Sequence, residues 1–116
     1  MKVIHYSEAS ETRIDNEVAK GVSGRVVVGK ADGAPHFCMR VFELDPNGCS
    51  PSHAHDWEHE IFFHSGTGEI WRDGAWTGVE AGTVAFIPGS ETHQIRNTGP
   101  GKLTFVCLVP AGAPEM

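Results

Sequence analysis

Histidine is the residue type that this sequence concentrates in one place. Four of its seven histidines fall within residues 53–64, and His93 lies further along the chain. His53 and His55 are two positions apart, so on a strand both side chains would lie on the same face. Two imidazoles on one face, a third nearby and a fourth from a distant strand can surround a metal ion. Neutral imidazole binds Zn, Cu, Fe and Ni and can hold Mn, so this spacing favours a metal site over a set of solvated histidines.

Short strands separated by turn residues are the elements that must position these histidines. The turn sequences include Asp-Pro-Asn-Gly at residues 45–48, which is expected to end a strand, and Asp73-Gly74, which is typical of a hairpin. Residues 7–20 offer at most a helical turn. This pattern predicts one all-β domain, a sandwich or barrel, over residues 1–116. The predicted strands are residues 25–29, 37–44, 61–64, 69–72, 76–79, 83–87, 92–96 and 102–109.

Composition excludes several classes of partner. The chain has 116 residues and a formal net charge of -6, which argues against nucleic acid and against an anionic membrane surface. No apolar run approaches the ~20 residues of a membrane span, and the N-terminus has no apolar segment typical of a secretory signal. The three cysteines are odd in number and form no CxxC pair, so disulfides are not expected. These features predict a cytoplasmic protein that binds neither nucleic acid nor membrane.

Two segments resemble the sequence motifs of the cupin family. Residues 48–66 read GCSPSHAHDWEHEIFFHSG, similar to a motif with a glycine, an HxH pair, a glutamate and a second glycine. Residues 82–97 read GTVAFIPGSETHQIRN, similar to a motif with a glycine, PxGxxH and an asparagine, with Ser90 in place of the inner glycine. The resemblance implies a jelly-roll β-barrel with a metal ion inside. In that family the HxH pair, the glutamate and the histidine of the second motif hold the ion.

The spacing departs from the motif at the glutamate. A gap of six residues before Gly66 puts His59 at that position, and a gap of three residues after His55 also gives His59. Glu60 fits only the alternative gap of four residues, and then only five residues separate it from Gly66. The chain also resembles small cupins with four-histidine sites, some with a segment like the WEHE of residues 57–60. The expected ligands are therefore His53, His55, His59 and His93, with Glu60 as the alternative to His59.

Four imidazoles leave the full +2 charge on the ion, so they favour an anionic co-ligand. Around an octahedral ion they also leave two positions open. The first functional hypothesis is a dioxygenase-type oxidoreductase that acts on a small oxygen-bearing organic molecule with Mn or Fe, or alternatively Zn, Ni or Cu. The second is a metal-dependent lyase or isomerase without redox chemistry. The third is a small-molecule binding protein without catalysis.

Strand parity predicts a largely apolar pocket beside the metal. Arg40 lies on an apolar strand, and it either reaches into the barrel to hold a substrate carboxylate or is a surface cation paired with a glutamate. In the small cupins that the chain resembles, the face of the last strand that carries Cys107 lines the pocket, which implies that Cys107 lies near the metal, either in a chemical role or as inert packing. The residues expected to line the pocket are Arg40, Phe42, Phe63, Phe105, Cys107 and Val109.

Parity also predicts a surface for self-association. If the strand continues from His59, Phe62 and His64 point out of the barrel. An outward aromatic residue and uncovered edge strands are best explained by a partner, so we expect a homodimer.

Overall fold

The computed structural model describes every residue from Met1 to Met116, and it is built almost entirely from β-strands. Two 3-10 turns, at Tyr6–Glu8 and Lys30–Asp32, are its only helical segments. No helix is long and apolar enough to cross a membrane. The strands are β1 (Thr12–Ile14), β2 (Lys20–Val28), β3 (Phe37–Cys49), β4 (His59–Ser65), β5 (Thr67–Arg72), β6 (Ala75–Glu80), β7 (Val84–Ile87), β8 (Gln94–Asn97) and β9 (Leu103–Pro110).

All strand pairs are antiparallel, in the order β6-β5-β8-β3-β9-β4-β7, and β2 adds to the free edge of β3 with β1 beyond it. The strands curl into a jelly-roll β-barrel, which confirms the predicted fold class. Strand β3 makes the curl possible, because its first part pairs with β2 and β9 whereas its last residue, Cys49, pairs with Arg96 of β8. An isolated bridge between His53 and His93 joins the loop after β3 to the start of β8.

The prediction that a strand ends at residues 45–48 is wrong. Strand β3 continues through them as a bulge, because Leu44 pairs with Val22 and Cys49 already pairs with Lys20. Asn47 has a φ of 65°, and a Cβ on Gly48 would lie 2.8 Å from the carbonyl oxygens of Asp45 and Lys20. The turn sequence therefore forms a bulge, and β2 keeps its pairing with β3 on both sides of it.

The N-terminal region differs from the expectation of at most one helical turn. Residues 6–8 do form a 3-10 turn, but Thr12–Ile14 then pairs with β2 as a short edge strand. The β5–β6 hairpin is confirmed, since positive φ angles of 49° at Asp73 and 80° at Gly74 fit the two-residue turn predicted there. The three cysteines are all free.

Inward-facing residues of neighbouring strands form rungs across the barrel wall. One rung joins Arg40 of β3 to Cys107 of β9 and Ile61 of β4. The next joins Phe42 to Phe105 and Phe63 in the same order of strands. Twelve buried residues form the core: Ala19, Val22, Leu44, Ile61, Phe63, Ile70, Val79, Ile87, Ile95, Leu103, Phe105 and Cys107.

Candidate metal centre

Four histidines converge where the two motif segments meet. His53 and His55 lie in the loop between β3 and β4, His59 is the first residue of β4, and His93 immediately precedes β8. Reciprocal backbone hydrogen bonds of 3.2 and 3.0 Å fasten His53 to His93. One ring nitrogen of each histidine lies within 4.8 Å of the other three. The structure thus brings together all four residues that the sequence predicts as ligands.

The distances between ring nitrogens fit a shared metal ion. The Nε2 atoms of His53 and His93 are 3.0 Å apart, and those of His55 and His59 are 2.8 Å apart. Two imidazole nitrogens about 2.1 Å from one ion and at right angles to each other would be about 3 Å apart. The donor set consists of four neutral nitrogens, which suits a divalent first-row transition metal.

Backbone carbonyls orient two of the rings. His55 Nδ1 donates to the carbonyl oxygen of Trp57 at 2.9 Å, and His93 Nδ1 donates to that of Glu91, also at 2.9 Å. Since a carbonyl oxygen can only accept, the proton lies on Nδ1 and the lone pair on Nε2, which faces the cluster. These acceptors could not be predicted from the sequence, because a backbone carbonyl carries no side-chain signature.

Burial lowers the pKa of three of the four histidines. Burial, together with His93, His55 and Arg40, lowers the pKa of His53 to about 4. Burial and then Arg40 lower the pKa of His59 to about 3, and burial also lowers the pKa of His93. At pH 7 these rings are therefore uncharged and able to bind a metal without first losing a proton.

His59 and Glu60 lie on opposite faces of β4. The His59 side chain is buried on the inner face, with a residue exposure of 7%. Glu60 is exposed, pairs with Leu108 and Phe86 in the strand ladder, and does not belong to the cluster. His64 is likewise exposed, as predicted. The alternation of the strand therefore brings His59 rather than Glu60 to the candidate site.

A half-open cavity of about 190 Å³ adjoins the cluster. Ten of the sixteen lining residues are apolar, and none is Asp or Glu. Arg40, Phe42, Phe105 and Cys107 line it, where the sequence places them. The same prediction is wrong for Phe63 and Val109, which face inward but are covered by their neighbours. Phe63 packs against Phe105 with ring centroids 5.4 Å apart, and Val109 pairs with Cys38.

Arg40 is a buried cation without a carboxylate partner. Its exposure is 7%, and it takes part in none of the five salt bridges of the protein. Its Nη2 donates to Cys107 Sγ at 3.0 Å and lies 3.3 Å from His59 Nδ1, while its Nε is buried without any hydrogen-bond partner. Of the two sequence-based alternatives, the side chain that reaches into the barrel is the one observed. A desolvated guanidinium with a free donor is costly unless an anion joins it.

Residues 40–109 match the family described as the cupin domain. A protein of Thermotoga maritima named oxalate-binding protein is 31% identical over 113 residues, which cover 92% of each chain.

Two solved structures have closely similar folds. The polyketide cyclase RemF from Streptomyces resistomycificus has a TM-score of 0.90 and 30% identity, covering 98% of this chain and 82% of its own. A protein described as a predicted oxalate decarboxylase from Thermotoga maritima has a TM-score of 0.83 and 28% identity, covering 95% of this chain and 99% of its own.

Proposed function

This chain belongs to the cupin family, and from that premise we propose that it is a metal-dependent enzyme that acts on a small organic acid. The observation that carries the proposal is the convergence of four imidazole nitrogens beside an acid-free cavity that contains an unpaired arginine. The proposed ligands are His53, His55, His59 and His93. The proposed ion is Mn or Fe, and Zn, Ni and Cu are the alternatives that the same donors accept.

The cavity supports an acid with an apolar body as the substrate class. Arg40 would bind a carboxylate or an enolate oxygen through the donor that now lacks a partner. Phe42 and Phe105 would pack against the apolar part of the substrate and keep water away from it. His53 is the exposed member of the cluster, so the substrate would enter on its side. When bound, a divalent ion would supply a Lewis acid with open coordination positions. The oxalate-binding relative supports an acidic ligand.

A dioxygenase-type oxidoreductase is the first reaction class that we propose, because the donor set leaves room for an organic substrate and dioxygen together. A lyase or isomerase without redox chemistry is the second. It is supported by a cavity whose only charged side chain is that of Arg40, since a cation stabilises an enolate, and by the likeness to the polyketide cyclase RemF. Small-molecule binding without catalysis is the third candidate function, and the experiments that follow distinguish it from the other two.

Metal stoichiometry tests the ligand set. The purified protein is stripped with a chelator, loaded with Mn, Fe or Zn, desalted and subjected to elemental analysis. About one ion per chain is expected for the wild type and for the matched variants Glu60→Gln and His64→Gln. His59→Gln and His93→Gln should retain much less metal after desalting. A wild-type protein without bound metal, or metal loss in Glu60→Gln but not in His59→Gln, would overturn the assignment.

Ligand titration tests the substrate class. Calorimetry with metal-loaded protein compares oxalate and benzoate with the uncharged benzamide. Arg40→Met should weaken binding of the acids by about tenfold to a hundredfold, the usual effect of losing a charge-assisted hydrogen bond, and should leave metal content unchanged. Equal affinity of the acid and the amide would contradict an anionic substrate. Oxygen uptake with a bound acid would support the oxygenase class, and product formation without oxygen uptake would support the lyase or isomerase class.

The proposal includes a homodimer formed through the outer face of the barrel. Phe62 on β4 is exposed, and its cross-strand neighbour Val84 and the nearby Phe86 on the edge strand β7 are also exposed. Three large apolar side chains beside an uncovered strand edge favour burial against a second copy of the chain.

A further inference from the structure

We infer that Cys107 is a positioning residue for the metal centre, whose sulfur accepts the Nδ1 proton of His59 and so keeps the lone pair of that ring on Nε2. The inference rests on the proposed metal site, and it assigns a role to a side chain that is not itself a ligand. Without a defined acceptor at Nδ1, the His59 ring could equally hold its proton on Nε2, where it would block metal binding.

The surroundings of His59 Nδ1 leave one acceptor. Its two partners are Cys107 Sγ at 3.3 Å and Arg40 Nη2, also at 3.3 Å. A guanidinium has donors only, so a hydrogen bond from Arg40 requires the lone pair on Nδ1 and places the proton on Nε2. A thiol can donate or accept, and when its own proton points away from the ring, a hydrogen bond from His59 to the Cys107 sulfur places the ring proton on Nδ1. The two neighbours therefore favour opposite tautomers of the same ring.

Cys107 also removes the competing donor. Arg40 Nη2 lies 3.0 Å from Sγ, closer than it lies to the His59 ring, so the sulfur draws the guanidinium toward itself. The thiol proton can point toward the Leu108 carbonyl oxygen, 4.0 Å from Sγ, which leaves the sulfur lone pairs for the two nitrogen donors. One sulfur thus both receives the His59 proton and holds Arg40.

The position of His59 in a strand explains why a side chain has this role. His55 and His93 lie outside the strands and use carbonyl oxygens two residues away. His59 begins β4, where neighbouring carbonyls lie in the plane of the sheet and the ring points out of it. Its acceptor must therefore come from an adjacent strand, and Cys107, which pairs with Ile61, is its diagonal neighbour on the same face.

Metal affinity in two Cys107 variants tests the inference. Dissociation constants for Zn and Co are measured by competition with a chelator. Cys107→Val keeps the size but removes the acceptor, and should weaken binding by about tenfold to a hundredfold, as for other groups that orient a ligand. Cys107→Ser keeps an acceptor and should stay within about threefold of the wild type. Cys38→Val, a matched change at another buried cysteine, should bind like the wild type.

A second measurement separates positioning from packing. In the Zn-loaded wild type, nitrogen NMR should show His59 protonated on Nδ1, and this signature should be lost or mixed in Cys107→Val. Adding Arg40→Met to that variant removes the competing donor and should recover affinity by about tenfold. Failure of the wild type to bind metal would overturn the proposed metal site. Normal metal binding by the wild type together with equal affinity in Cys107→Val, or no recovery on adding Arg40→Met, would overturn only the role of Cys107.

Discussion

The protonation of single histidines determines what the cluster can do. Three of the four rings, those of His53, His59 and His93, have lowered pKa values, with burial as the largest cause. In the metal-free site these three rings are therefore neutral at pH 7 rather than positively charged. This state is ready for a cation, and it makes the folded protein sensitive to acid.

We expect the metal-free protein to lose stability as the pH falls below about 6.5, the pKa of an unfolded imidazole. The folded values for His53 and His59 are about 4 and about 3, so between these limits the unfolded chain binds more protons than the folded one. Stability therefore decreases as the pH falls through that window, and these groups contribute no pH dependence above it. Thermal denaturation of chelator-treated protein between about pH 7.5 and pH 4 measures the slope.

Two variants test whether the histidine cluster causes this dependence of stability on pH. His59→Gln removes an imidazole with a lowered pKa and should flatten the dependence of stability on pH. His64→Gln on the outer face should leave that dependence as in the wild type. Identical slopes in all three proteins would contradict the assignment of the acid sensitivity to the cluster.

The residues of the site differ in how far sequence could predict them. The pair at 53 and 55 and the period of two in a strand indicated a metal site, and the resemblance to the cupin motifs identified His59 and His93 as its other expected ligands. Parity also placed Arg40 and Cys107 on the inner face. It could not tell which inward residues reach the cavity, because Phe63 shares its face with His59 yet is covered by Phe105. That depends on packing across strands far apart in sequence.

At the scale of elements, the turn after β7 holds the loop that carries the HxH pair. Ser90 N donates to the carbonyl oxygen of His55 at 2.5 Å. A Cβ on Gly89 would lie 2.4 Å from the carbonyl oxygen of Asp56, closer than real Cβ contacts allow. The second motif thus supplies His93 and also a close backbone approach that fixes the position of His55.

We expect Gly89→Ala to weaken metal binding by about tenfold, because the added methyl must displace the loop that positions His55. Gly101→Ala is the matched control, since nothing lies within 4 Å of its added Cβ. The same chelator competition measures both variants. A Gly89→Ala protein with wild-type affinity would show that the loop adjusts without moving the ring.

Strand boundaries show the limit of local turn chemistry. The Asp-Pro-Asn-Gly sequence at residues 45–48 forms a bulge within β3, in which Asn47 adopts a positive φ. Strand β3 nevertheless resumes on the far side, because Lys20 of β2 pairs with Cys49. The end of β3 depends on a partner strand more than twenty residues earlier, so it could not be predicted from the sequence of the turn alone. The Asp73-Gly74 hairpin could be predicted because its two strands are adjacent in sequence.

At the scale of the whole molecule, the hydrophobic core is built from residues other than the proposed metal ligands. The twelve residues of the buried cluster include none of the four histidines. We therefore expect chelation at neutral pH to leave the β-sheet circular dichroism unchanged, while bound metal raises stability by about 3–4 kcal/mol at ion concentrations of a hundred to a thousand times Kd. Circular dichroism and thermal denaturation with and without chelator measure both effects. Global unfolding on chelation would instead show that the ion has a structural role.

The proposed dimer is tested at its apolar surface. Phe62, Val84 and Phe86 are 48%, 72% and 60% exposed and lie on neighbouring strands at one edge of the sheet. Sedimentation velocity at micromolar concentration should show a dimer for the wild type and a monomer for Phe62→Glu, because a buried carboxylate without a partner is costly in an interface. Thr12→Glu on β1, which lies beyond β2 on the other side of β3, should remain dimeric. Phe62 and His59 point to opposite faces of β4, so the monomeric variant should still bind one metal ion, whereas a monomeric wild type would contradict the proposed interface.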